Sequence, residues 1–169
     1  KLTWVMNQKY RSVDEIKELY SRIRSGFDNG SLPTDITQDL HTLLQKHKGQ
    51  PIIVRSSSLL EDSYGTSFAG KYDSYFCANQ ASITENLHSL SKAISKIYAS
   101  VYSPDALLYR KKMGLLDYDE RMAILIQVVE GDKHGDWFYP PIAGVAFSKN
   151  QYRWTSRIDP EDGLVRMVC

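Results

Sequence analysis

Cysteine is almost missing from this 169-residue chain. Only Cys77 and Cys169 occur, too few for a disulfide framework or a thiolate metal set, so a reducing, cytoplasmic setting is expected. An excess of one charge is missing too: 21 lysines and arginines face 20 acidic residues, and a net charge of +1 offers no general field for nucleic acid or an anionic membrane. No apolar run approaches the roughly 18 residues that a membrane-spanning helix needs, and nothing reads as a signal peptide. The motifs G-x-S-x-G and H-E-x-x-H are absent, as is any Cys–His constellation, which leaves hydrolase and metalloenzyme chemistry without a motif. His41, His47, His88 and His134 lie too far apart for ligand spacing, and of these only His134, in the loop "GDKHGDW", is placed as a possible partner contact.

What is present is a succession of helix and strand signals. Ser12 followed by Glu15, and Ser82 followed by Glu85, each form a capping-box pattern before an apolar stripe. The first helix is expected to stop at Gly26 and the second to span "PTDITQDLHTLLQKHKG". Ser103 and Pro104 open a further short helix that Gly114 closes. Strands are expected at residues 51–56, in "YDSYFCA", at residues 122–129 and in "PIAGVAFS". The third of these is apolar on both faces and reads as a central strand, with "PIAGVAFS" returning beside it after a hairpin loop. Helices interspersed with hairpin-linked strands predict an α+β fold with a mixed or antiparallel sheet. A start on Lys1 and an apolar "LVRMVC" at the other end read as a piece of a longer protein.

The chemistry concentrates in "IIVRSSSLLED" and the Ser- and Gly-rich segment next to it. An arginine one residue past a buried strand is held by the sheet while its guanidinium reaches over the sheet's end, where it can meet phosphate or carboxylate with parallel donors. Ser56, Ser57 and Ser58 add hydroxyls and backbone N–H groups beside Arg55. The alternative is a local ion pair from Arg55 to Glu61 or Asp62, with a serine capping the next turn. Further on, Gly65, Thr66, Ser67, Gly70, Lys71 and Ser74 have the composition of a flap over phosphates, the alternative being an ordinary surface hairpin; the spacing fits no Walker A loop and no dinucleotide fingerprint. Residues 127–130 could read an adenine through main-chain groups at a strand end, or simply run from a core strand into a hairpin.

In order along the chain, "IIVRSSSLLEDSYGTSFAGKYDSYF", "KIYASVYSPDALLYRKKMG", "MAILIQVVEG" and "AGVAFSKN" resemble the N-terminal nucleotide-binding domain of phosphoenolpyruvate synthase and pyruvate phosphate dikinase. The resemblance implies a partial ATP-grasp lobe over residues 51–169, with residues 1–50 as a helical N-terminal segment. It implies that Arg55, with Ser56, contacts the ATP phosphates, that the F-A-G hairpin brings Gly70, Lys71 and Ser74 over them, and that Gln127, Val128 and Val129 form the adenine hinge. It further implies ATP with Mg²⁺ as cofactors, the metal ligands lying outside this chain. The partners would be a swivelling phosphohistidine domain that takes the β-phosphoryl and a barrel domain that binds pyruvate or phosphoenolpyruvate. The family's upstream glycine-rich segment with its lysine has no match in residues 1–50, and Gln151 stands where pyruvate phosphate dikinases carry proline. A non-catalytic nucleotide-binding module, or a phosphotransferase with an antibiotic or glucan acceptor, are the alternatives.

Overall fold

Two helices begin on the same device. Ser12 and Ser82 each accept the N–H of the residue three positions on, and those residues, Glu15 and Glu85, bond back to the serine N–H, so two otherwise orphaned donors are satisfied at each start. The computed structural model describes residue 5 and residues 7–61, 70–150 and 155–169. These starts open α1 (Val13–Asp28) and α3 (Ile83–Ser100). Between them lies α2 (Thr34–Lys46), and Ser103 caps α4 (Pro104–Lys112) by accepting the Ala106 N–H. α1 runs two residues past Gly26, which adopts helical backbone; a glycine lowers helix stability by about 1 kcal/mol without ending the helix.

The contacts divide the chain after Val129. The first unit holds the four helices and an antiparallel three-stranded sheet in the order β2 (Ser74–Cys77), β1 (Ile52–Ser58), β3 (Met122–Val128). Ile52, Val54 and Cys77 point from this sheet into a core closed by Leu90, Ile94 and Ile97 of α3 and by Leu40 and Leu44 of α2. A second, smaller cluster joins Leu60, Tyr72, Val101 and Ala106. α2 thus shares one core with the sheet, and α1 packs on α3.

The second unit, residues 130–169, contains two antiparallel ribbons. β4 (Asp132–His134) pairs with β5 (Trp137–Tyr139), and the His134 ring stacks on Tyr139 with centroids 4.3 Å apart. β6 (Ala143–Phe147) pairs with β7 (Leu164–Val168). At Gly144 a β-carbon would stand 2.3 Å from the Arg166 carbonyl oxygen, so the ribbon needs glycine there.

Two strand expectations are corrected. β3 is at the edge and β1 is central, because Ala123, Leu125 and Gln127 are exposed and among the described residues no strand pairs with β3 on its far side. "PIAGVAFS" does not pair with β3: its strand, β6, pairs with β7. The α+β reading agrees with the structure, whose strand pairings are all antiparallel.

Candidate functional site

Alternation along β1 sorts its residues between two faces. Ile52, Val54, Ser56 and Ser58 face the helices, while Ile53, Arg55 and Ser57 face the other way. No described helix of the first unit covers that second face, on which register builds rows across the three strands. Ser74, Arg55 and Leu125 stand side by side, Phe76, Ile53 and Gln127 form the next row, and Ser57 and Ala123 a third. Arg55, Ser74 and Gln127 are all exposed, and Phe76 is 73% exposed beside them. Arg55 and Gln127 therefore share one surface on neighbouring strands, one row apart.

Arg55 sits at the centre of β1 and not past its end, which corrects the expected placement over the sheet's rim. The strand continues to Ser58 because the serines there have local partners. The Ser56 hydroxyl donates to Glu61 Oε1 at 2.8 Å, the Ser58 N–H donates to Glu61 Oε2 at 2.9 Å, and the Glu61 N–H donates to the Ser58 hydroxyl at 3.2 Å. Both Glu61 carboxylate oxygens are thus taken by Ser56 and Ser58 on the helix-facing side. The ion pairs among the described residues do not involve Arg55. Asp62, the other acid weighed as its partner, lies outside the described residues, as do Gly65, Thr66, Ser67 and Gln151.

The other sequence candidates fall in distinct places. Ser56 faces the helices with its hydroxyl engaged. Gly70 has φ +73°, a conformation that a side chain would strain. Lys71 Nζ lies 5.2 Å from the ring centroid of Tyr109 on α4. Ser74 is directly opposite Arg55.

The hinge candidates divide by backbone direction. The Val129 N–H donates to the Pro51 carbonyl at 2.8 Å, so pairs in step with it, including Gln127 with Ile53, exchange ladder hydrogen bonds. Val128, out of step, turns its N–H and C=O away from β1 toward the edge that no described strand covers. An edge of this kind offers a donor and an acceptor side by side to a planar polar ligand, while a guanidinium on the adjoining face offers charge-assisted hydrogen bonds to an anion.

Sequence reasoning did not single out Ile53, Phe76 and Leu125 as the apolar neighbours of Arg55; the alternation in "IIVR" and "SYFC" carried that signal. Among the described residues no group of three or more His, Cys, Asp or Glu could hold a metal ion. No described helix is long and apolar enough to cross a membrane.

The arrangement is that of an α+β domain with one open, singly charged sheet face. Over residues 1–168 the chain matches the model of the pyruvate phosphate dikinase AMP/ATP-binding domain, and it belongs to that family. It is similar to a rifampicin phosphotransferase of Streptomyces sviceus, 27% identical over 89% of this chain and 16% of that protein. It is also similar to a probable phosphoenolpyruvate synthase of Methanocaldococcus jannaschii, at 26% over 75% of this chain and 11% of that protein, and to a phosphoenolpyruvate synthase of Aquifex aeolicus, at 26% over 69% and 14%. The chain spans about a tenth to a sixth of the length of the curated relatives it matches.

Proposed function

We propose that the chain is the ATP-grasp-like lobe of a dikinase-type phosphotransferase, and that ATP lies against the open face of the β2–β1–β3 sheet. The observation that carries this reading is Arg55, held at mid-strand on that face with Glu61 drawn to the opposite side by Ser56 and Ser58. Arg55 contacts the phosphates, with Ser74 beside it and Gly70 and Lys71 at the start of the segment leading into β2. The outward N–H and C=O of Val128, flanked by Gln127 and Val129, read the adenine edge. In phosphoryl transfer most of the protein's contribution is positioning and charge neutralisation, the two things a strand-mounted guanidinium supplies.

Mg²⁺ accompanies ATP, with its ligands on a second lobe beyond this chain. The β-phosphoryl passes to a histidine of a swivelling domain and then to pyruvate on a barrel domain, in a cytoplasmic protein. A second reading, with an antibiotic as acceptor, is favoured by the match to rifampicin phosphotransferase. Full-length protein given ATP with either pyruvate or rifampicin separates the two by which compound becomes phosphorylated.

The binding claim is tested by calorimetric titration of ATP and MgCl₂ into the wild type and Arg55→Ala. A charge-assisted hydrogen bond is worth about 1.5–3 kcal/mol, so affinity should fall by about tenfold or more in the variant. Equal affinities would remove Arg55 from the site.

A further inference from the structure

Arg110, on α4, is 5% exposed. Its Nη2 donates to the Val101 carbonyl at 2.7 Å, while its Nε is shut off from solvent without a hydrogen-bond partner. Glu120 lies just ahead of β3, and both of its carboxylate oxygens are also shut off from solvent without a hydrogen bond of 3.5 Å or less. The two residues line one cavity of about 230 Å³, together with Lys9, Tyr102, Asp117 and Tyr118. A buried arginine and a buried carboxylate are each costly alone, and each becomes tolerable only with an opposite charge nearby. Burial holds the Glu120 carboxyl above its ordinary range, against the downward pull of the Ser58 hydroxyl, the Arg110 charge and the Leu60 backbone. The ion pairs within 4.0 Å among the described residues do not include Arg110 with Glu120, so the two charges act on one another across the cavity they share.

The location matters because of how β1 is fastened. Among the described residues, β2 pairs with β1 only as far as Arg55, opposite Ser74, whereas Ser56, Ser57 and Ser58 pair with β3 alone. The last pair of that ladder is Ser58 with Met122, two residues after Glu120. Beyond it, the hydrogen bonds between Ser58 and Glu61 close the turn. Any loosening at this end would run back along three singly held residues and reach Arg55 first.

We propose that Arg110 and Glu120, whose charges act on one another across this cavity, together position the Ser58–Glu61 turn, and through it the guanidinium of Arg55. The pair consists of positioning residues with no contact to nucleotide, and the inference rests on the reading of Arg55 as the phosphate clamp. Glu120→Gln keeps the shape of the side chain and removes its charge. Two readouts are taken well below the melting temperature: amide hydrogen exchange at Ser58 and Glu61, and calorimetric affinity for ATP with MgCl₂.

Exchange at both amides should accelerate by about tenfold while the amides of α3 between Leu90 and Ile97 keep their protection. Affinity should fall by roughly fivefold in the wild-type background and not fall further in the Arg55→Ala background, since residues acting through one another are non-additive. Glu120→Asp, which keeps the charge, should restore part of both. Should Glu120→Gln fail to fold, the doubly neutral Arg110→Met, Glu120→Gln protein carries the same exchange measurement. Unchanged exchange at Ser58 and Glu61 overturns the proposal whatever the affinities show, and so does an affinity loss that adds in full to that of Arg55→Ala. A wild-type protein that binds no ATP overturns the clamp reading instead, and the exchange result alone then decides whether the pair holds the turn.

Discussion

The two faces of the β2–β1–β3 sheet differ in almost every respect, although the same three strands make both. Toward the helices, Ile52 and Val54 are wholly buried against Leu90, Ile94 and Ile97. Away from them, the intervening residues are a half-buried isoleucine, an exposed arginine and an exposed serine, with Phe76 and Leu125 standing open beside them. Burial of apolar area makes the first face the source of stability. The second contributes little to folding, which leaves its residues available for binding. Substitutions placed one residue apart on the same strand should therefore separate stability from ligand affinity.

The strongest way to break that separation is to open the covered face. Ile97 is fully buried, and Ile97→Ala should lower unfolding free energy by about 3 kcal/mol in a denaturant titration. Nucleotide affinity should stay unchanged at temperatures where the variant is folded. On the open face, Phe76→Ser removes a ring that is 73% exposed and should shift stability by less than about 0.5 kcal/mol. A large stability loss there would mean that the open face belongs to the core.

The smallest effect concerns acid. Hydrogen bonds from the Ser82 side chain and backbone hold the exposed Glu85 carboxyl below its ordinary 4.5. A lowered folded-state value means that this contribution is present above pH 4.5 and is lost as pH falls through the folded value. Glu85→Gln should therefore lower the melting temperature slightly in the neutral region and converge with the wild type as pH falls below the folded value, which flattens the acid side of the profile.

Much of the local structure was legible. Ser12 with Glu15 and Ser82 with Glu85 mark helix starts because capping is a contact between near neighbours, and both boxes form. Ser103 and Pro104 likewise begin α4. What failed to read was pairing at a distance. An apolar run such as "MAILIQVV" looks the same whether it lies at the centre of a sheet or at its edge, since periodicity reports burial and not the number of partners. β6 finds its partner in β7 across a polar stretch, a choice no local pattern encodes.

The candidate site divides in the same way. That Arg55 stands out was legible from one cation among serines after an apolar strand. That it sits at mid-strand was not, because the serines that prolong β1 do so through Glu61. The buried Arg110 and Glu120 gave no signal at all: in "YRKKMG" one arginine looks as solvated as its neighbouring lysines.

The alternation of β1 also restricts how this segment can change over evolutionary time. Losing or gaining a single residue between positions 52 and 58 would turn a guanidinium inward and two aliphatic chains outward in one step, an exchange no nearby repacking could absorb. Homologous chains should therefore vary in length before or after this strand and keep its count constant, so that its frame outlasts the identity of most residues in it.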